Sequence, residues 1–324
     1  MRAIQITEHG GPEVLRPADI AVSEPGEGQL LVDVATAGVN YIDTYQRAGL
    51  YPMHLPYVPG MEGAGTVTAV GSGITDTVVG DKVAWATGTG SYAEQALVTA
   101  TATVPVPAGM DEETAASCLL QGMTAHYLTV STYPLQADDA VLVHAAAGGM
   151  GLLLTQLATM RGARVIGTVS TAEKEQQARD AGAAEVIRYT EVDDLAGQVR
   201  DLTDGEGVAV VYDGVGASTF DASLGSLRRR GTLALYGAAS GPVPPVDPQR
   251  LNSAGSVFLT RPNLAHHTAT REELRWRAGE VFEAVRHRWL RINIGGRYPL
   301  ADARAAHEDL QGRRTTGKLL LLPR

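Results

Sequence analysis

The chain has 324 residues, 44% of them hydrophobic and 19% charged, with 37 glycines and a formal net charge of −9. That length exceeds what one hydrophobic core serves, so two domains are expected, and the composition is that of a packed, turn-rich globular protein. The acidic balance, with Lys82, Lys174 and Lys318 as the only lysines, argues against a nucleic-acid or anionic-membrane surface, and the single Cys118 excludes an internal disulfide or a multi-cysteine zinc cluster. The first residues turn polar without a signal-type apolar run. No stretch reaches the roughly 18 apolar residues of a membrane span, and a cytoplasmic location is expected.

Residues 1 to 122 alternate short β-type runs with Gly and Pro punctuation. Runs at 30–35, 65–70, 81–86 and 92–98 are separated by Pro25-Gly26, Pro59-Gly60, Gly71-Ser72-Gly73 and Gly80-Asp81. Many short strands between turn signals predict a β-rich, barrel-like unit. After Gly122 apolar strands alternate with helices. Strands are expected at 140–144, Arg164–Val169, 185–189, Val208–Asp213 and 232–236, with helical stretches at 149–161, 172–181, 192–203 and 217–229. Strands this apolar suit a parallel sheet covered on both faces, so the block 123–263 reads as a doubly wound Rossmann unit of an α/β protein. Past Pro262, amphipathic helices around 271–288 and 300–311 lead to an apolar strand at Lys318–Leu322. A tail of that size does not fold alone, so 264–324 is expected to complete the first domain.

The segment Ala145-Ala146-Ala147-Gly148-Gly149-Met150-Gly151 follows the 140–144 strand and opens an apolar helix. Positions 146, 148 and 151 have the spacing of the dinucleotide fingerprint, with Ala146 in place of its first glycine. Gly148 lets the backbone approach a pyrophosphate, Gly151 lets helix and strand pack closely, and the helix N-terminus offers N–H groups to phosphates. About 20 residues further on, NAD enzymes place a carboxylate for the ribose 2′-hydroxyl. Ser170 stands there instead, with Lys174 four residues later and Tyr189 ending the next strand at the same sheet edge. A serine hydrogen-bonds a 2′-phosphate that a carboxylate would repel, so NADPH is the expected cofactor. Glu173, turned inward, would favour NADH.

These residues resemble the zeta-crystallin-like quinone oxidoreductases of the medium-chain dehydrogenase/reductase superfamily. The similarity runs along nearly the whole chain, through Gly38-Val39-Asn40-Tyr41-Ile42-Asp43-Thr44-Tyr45, Gly49-Leu50-Tyr51-Pro52, His144 to Gly149, Val211-Tyr212-Asp213-Gly214-Val215-Gly216, Thr260-Arg261-Pro262, Ala306-His307-Glu308 and Gly317-Lys318. The resemblance implies a GroES-like catalytic domain built from both chain ends, a Rossmann domain between them, a cleft and a homodimer. It implies a cofactor site that includes Asn40, Tyr45, Gly148, Gly149, Met150, Gly151, Ser170, Lys174, Tyr189 and Gly216, together with Tyr236, Gly237, Ala238, Ala239, Ser240, Leu259, Thr260, Arg261 and Lys318. Asn40, Tyr45 and Tyr51 are the candidate catalytic residues; Tyr51 falls where enoyl-thioester reductases of the superfamily place a proposed proton donor.

Zinc-dependent relatives carry Gly-His-Glu where this chain has Gly60-Met61-Glu62, and a cysteine near the position of Asn40. A methionine thioether is a poor zinc ligand, so no metal is expected. Without a Lewis acid the acceptor must already be activated, which points to hydride transfer from NADPH to a quinone or a similar conjugated electrophile. The alternatives are an enoyl-thioester or alkenal reductase and, in another class, a non-catalytic NADPH-binding structural protein. No Tyr-x-x-x-Lys pair or Gly-x-Ser-x-Gly elbow occurs. Cys118 is expected to be buried and inert, Asp213 to position backbone, adjacent His266 and His267 not to share a metal, and Arg228-Arg229-Arg230 to form a solvated helix end.

Overall fold

A computed structural model describes residues 1–324 and divides into two compact units, Met1–Met123 with Thr268–Arg324, and Thr124–His267. In the first, β1 (Arg2–Gln5) pairs antiparallel with β2 (Arg16–Asp19). A mixed sheet follows, with β3 (Gln29–Val39), β4 (Glu62–Val70), β5 (Lys82–Trp85), β6 (Gln95–Thr99) and β7 (Thr103–Pro105); the short helix α1 (Tyr41–Arg47) leaves the end of β3. Leu30, Val32 and Val34 alternate inward along β3, the period of a half-buried strand. They join Ile4, Ile6, Trp85 and Tyr92 in one core, where each fully buried aliphatic side chain contributes about 1.5–3 kcal/mol relative to exposure.

Helix α2 (Glu112–Tyr127) carries the chain into the second unit. There β8 (Ala140–Val143), α3 (Gly149–Met160), β9 (Arg164–Val169), α4 (Ala172–Asp180), β10 (Glu185–Arg188), α5 (Leu195–Asp201), β11 (Val208–Asp213), α6 (Phe220–Ser226), β12 (Leu227–Leu235), α7 (Pro248–Ser253), β13 (Phe258–Thr260) and α8 (Leu264–His267) alternate. The six strands are all parallel, in the order β10-β9-β8-β11-β12-β13. The order reverses between β8 and β11, the topological switch point at which such sheets bind ligands. The chain then returns to the first unit through α9 (Arg271–Arg286), β14 (Ile294–Pro299), α10 (Ala303–Gln311) and β15 (Lys318–Leu322), and β15 pairs antiparallel with β3.

One element went unread and one expectation needs correction. Helix α2 was not anticipated, and the expected helix over 217–229 ends at Ser226, so the arginine run Arg228 to Arg230 opens strand β12 instead of closing a helix. The cause is local. The Arg200 guanidinium takes the carbonyls of Gly225 (2.9 Å) and Leu227 (3.0 Å), acceptors a continuing helix would have used. Leu227 is buried in extended backbone, and the register jumps from Val208↔Leu227 to Val210↔Thr232, so the arginines form an irregular excursion with Arg230 at φ 58°. Arg228 reaches back to Tyr133 (3.1 Å) and Asp139 (3.2 Å).

The β8–α3 turn sets the tightest packing requirement. A Cβ on Gly151 would lie 2.2 Å from the Ala145 carbonyl oxygen and 2.7 Å from the Ala146 Cα, whereas one on Gly148 would meet only that same oxygen, at 3.2 Å. Gly151→Ala is therefore expected to destabilise this unit by about 1–3 kcal/mol, an overpacking cost against backbone that cannot step aside. Gly148→Ala should cost markedly less. Thermal melts of both variants check the order, and equal melting temperatures would show that the turn yields.

Candidate active site

The β8–α3 turn presents backbone to a ligand. Gly148 is the N-cap of α3 and supplies no side-chain cap, so the first turn, Gly149, Met150 and Gly151, keeps N–H groups for an anion. A buried polar network centred on Asp213 shapes the neighbouring 213–216 loop. Asp213 at the end of β11 accepts from Val215 N (2.8 Å), Gly216 N (3.0 Å), the Thr219 hydroxyl (2.8 Å) and the Ser223 hydroxyl (2.7 Å). Because Ser223 donates to Asp213, it accepts from His144 Nε2 (2.9 Å), and His144 Nδ1 accepts from Thr168 (3.0 Å). Burial lowers the His144 pKa and keeps the ring neutral. Asp213 thus positions backbone, and Gly216 turns at φ 92°.

The ribose edge lies at the ends of β9 and β10. Val169 pairs with Arg188, so Ser170 and Tyr189 leave the sheet side by side, and the Thr190 hydroxyl donates to the Ser170 carbonyl (3.1 Å). Lys174 lies half-buried in the first turn of α4, where its N–H reaches the Thr171 cap (3.3 Å). Tyr189 is 38% exposed and Glu173 is exposed. Arg188 is occupied by Glu175 (3.2 Å) and Glu191 (2.7 Å).

Tyr236, Gly237, Ala238, Ala239 and Ser240 fold onto the 213–217 loop. Ser240 N and Oγ both donate to the Val215 carbonyl (2.8 Å each), and Ala239 N donates to the Gly214 carbonyl (3.2 Å). Ser240 therefore serves as a loop clasp. Leu259 and Thr260 pair with β12, and Arg261 donates to the Leu235 carbonyl (2.8 Å).

The first unit holds a second, charged cluster. Lys318, 1% exposed, donates to Glu62 Oε2 (2.5 Å) and Asn40 Oδ1 (2.7 Å); Glu62, 0% exposed, also accepts from Asn40 Nδ2 (2.9 Å) and Leu120 N (2.6 Å). Asp43 accepts from Asn40 N (2.8 Å), Met61 N (3.3 Å) and the Tyr92 hydroxyl (3.0 Å). The Tyr92 hydroxyl in turn meets His307 Nε2 (3.0 Å), and Arg47 meets His307 Nδ1 (3.0 Å). Beside the cluster, Tyr45 stands between Tyr41 and Tyr51, with ring centroids 6.2 and 5.9 Å away. Tyr51 is 39% exposed.

Sequence reasoning placed Asn40, Tyr45, Tyr51 and Lys318, and the structure gathers them in this unit. It missed Asp43, Glu62, Tyr92 and His307 as working parts. The signal for His307 was its place on the stripe Ala303-Ala306-His307 that α10 buries.

The donor set does not fit zinc. Met61 Sδ accepts from Gln46 Nε2 (3.4 Å), and the Glu62 and Asn40 oxygens already hold an ammonium ion. Cys118 is fully buried, hydrogen-bonded to the Ala115 carbonyl, with its thiol pKa pushed up by burial. Three His, Cys or carboxylate ligands do not converge. A nicotinamide dinucleotide does fit: the uncapped glycine turn and the sheet edge where Ser170 stands in place of a carboxylate are cradles for its phosphates.

Residues 26–108 match the alcohol dehydrogenase GroES-like domain model and 149–276 the zinc-binding dehydrogenase model. A mycobacterial protein solved with NADPH is 56% identical, with a TM-score of 0.97 and 100% of both chains covered. The Escherichia coli quinone oxidoreductase solved with NADPH is 41% identical, again with a TM-score of 0.97 and 100% of both chains covered. The 2-haloacrylate reductase of a Burkholderia species is 40% identical over 99% of this chain and 98% of its own. No helix is long and apolar enough to cross a membrane. With its uncapped glycine turn, Ser170 in place of the ribose carboxylate and this likeness over the full chain, the protein belongs to the NADPH-dependent quinone oxidoreductase family of the medium-chain dehydrogenase/reductase superfamily.

Proposed function

We propose that Gly148, Gly149, Met150 and Gly151 hold the pyrophosphate of NADPH, that Ser170, Lys174 and Tyr189 hold its 2′-phosphate, and that Asn40, Tyr45 and Lys318 serve its reacting end. Gly216, Tyr236 to Ser240 and Leu259 to Arg261 shape the loops around the ring. When bound, NADPH supplies a hydride, and a quinone that takes it becomes a hydroquinone anion protonated by water. The observation that carries this reading is the Lys318–Glu62–Asn40 triad, standing where a metal-ligand set would be needed to polarise an unactivated carbonyl. The chain's own contribution is then positioning and exclusion of water. We further propose a homodimer, which the family resemblance implies, and a cytoplasmic location, expected from the lack of a signal-type or membrane-spanning run. The open edge of β13, with Phe258 62% exposed, suits a second copy.

A second reading, reduction of an alkene conjugated to a carbonyl, is favoured by the likeness to the 2-haloacrylate reductase and by the exposed hydroxyl-bearing Tyr51 beside Tyr45. Such a substrate must be protonated at carbon, where a positioned acid contributes about 10²–10⁴-fold. A quinone needs no such acid. Tyr51→Phe is therefore expected to change quinone turnover by less than about tenfold, with Tyr45→Phe costing more. Abolished turnover in Tyr51→Phe, with conjugated alkenes reduced faster than any quinone by the wild type, would move the assignment to the second reading.

Cofactor choice has its own test. A hydrogen bond to a charged group is worth about 1.5–3 kcal/mol, so Lys174→Ala should weaken NADPH by about 10- to 100-fold. NADH binding should stay nearly unchanged. Titration calorimetry with both cofactors measures the difference, and equal losses would make Lys174 a structural residue.

A further inference from the structure

One carboxylate links the two segments that grip Lys318. Asp43, fully buried in the first turn of α1, accepts the N–H of Asn40 at one oxygen and the N–H of Met61, the residue before Glu62, at the other. Asn40 and Glu62 are the two residues that hold the Lys318 ammonium. The β3–β4 register, which pairs Gly38 with Glu62, and the direct Asn40–Glu62 hydrogen bond bring the two together, and Asp43 adds a second bridge between their backbones without holding the lysine itself.

Asp43 is oriented from the far side. A guanidinium only donates, so His307 Nδ1 accepts from Arg47 and His307 Nε2 carries the ring proton. That proton is donated to the Tyr92 oxygen, which leaves the Tyr92 hydroxyl to donate to Asp43. Each hydrogen-bond partner of Asp43 is thus a donor, and an ionised carboxylate answers all of them at once.

We infer that Asp43 is a positioning residue, bracing the Asn40 and Met61–Glu62 segments at the spacing that holds Lys318, and that His307 acts on it through Tyr92. The inference rests on the assignment of Asn40 and Lys318 to the reacting end of the cofactor.

The groups facing Asp43 are Tyr92, Tyr57, Glu62 and Lys318, with His307 behind Tyr92 and Arg47 behind His307. Burial pushes Asp43 up to about 6, against the downward pull of the Asn40 N–H, the Tyr92 hydroxyl and Lys318. Burial and Arg47 hold His307 down to about 3, and burial raises Tyr92 well above its usual range. Near neutrality, then, Asp43 is the titrating member of this chain. Below about pH 6 it takes a proton that must be donated among donors, one contact is lost, and turnover falls.

The test is NADPH oxidation by the intact enzyme with phenanthrenequinone, followed from about pH 5 to 8, on the wild type, Asp43→Asn, Tyr92→Phe and Asn40→Ala. Asp43→Asn should lower kcat by at least about 30-fold while KM for the quinone stays within about threefold, and its profile should lose the acid limb. Tyr92→Phe removes one hydroxyl that favours the carboxylate, so kcat should fall about 3- to 10-fold and the acid limb should move to higher pH. A change in fold stability alone would move neither limb. If Asp43→Asn does not fold, Tyr92→Phe decides. A wild-type kcat and limb in Asp43→Asn, or an unmoved limb in Tyr92→Phe, overturns the inference. Full activity in Asn40→Ala would instead overturn the assignment beneath it, so the two failures are separable.

Discussion

The ion pair between Lys318 and Glu62 is the constraint on which the first unit is built. Both groups lie out of water, at a cost of several kcal/mol per ion that mutual attraction and added hydrogen bonds must offset. Glu62 meets this with three donors, from Lys318, Asn40 and the Leu120 backbone. Removing either partner would strand a buried charge, at about 3–5 kcal/mol. The pair does not exist until β15 lies along β3, because Lys318 opens that last strand. A charge near the end of the chain thereby completes a site begun at residue 40.

The two units solve the burial of polar groups differently. In the second, His144, Thr168 and Ser223 lead to Asp213 through hydroxyls, and the carboxylate ends on backbone N–H groups that shape the turn at Gly216. At the nearby glycine turn, too, α3 begins on backbone alone, without a side-chain cap. In the first unit the buried groups carry charge, and a lysine ammonium sits on oxygens that would otherwise be open to a metal. The zinc-binding description of the matching family model therefore does not extend to the chemistry of this chain.

Much of the cofactor unit was legible in the sequence because its signals are local. The strands Arg164–Val169 and Val208–Asp213 end where the apolar runs end, as does Lys318–Leu322 in the first unit. The placement of Ser170 beside Tyr189 follows from strand order and period alone. The arginine run misled because helix and strand compete over so short a segment, and Arg200, 27 residues before Leu227, ended the helix. The Asp43–Tyr92–His307 chain was illegible for a stronger reason. Its members are 49 and 215 positions apart, and only the sheet topology brings them together. A histidine on the apolar stripe of a terminal helix reads equally well as packing.

Zinc content and quinone turnover, measured on the same sample after exhaustive chelation, test metal-independent hydride transfer most directly. The expected result is full NADPH-dependent reduction of phenanthrenequinone with zinc far below one per chain. About one zinc per chain, lost together with turnover and restored with it on adding zinc, would contradict the assignment of the Lys318–Glu62–Asn40 cluster.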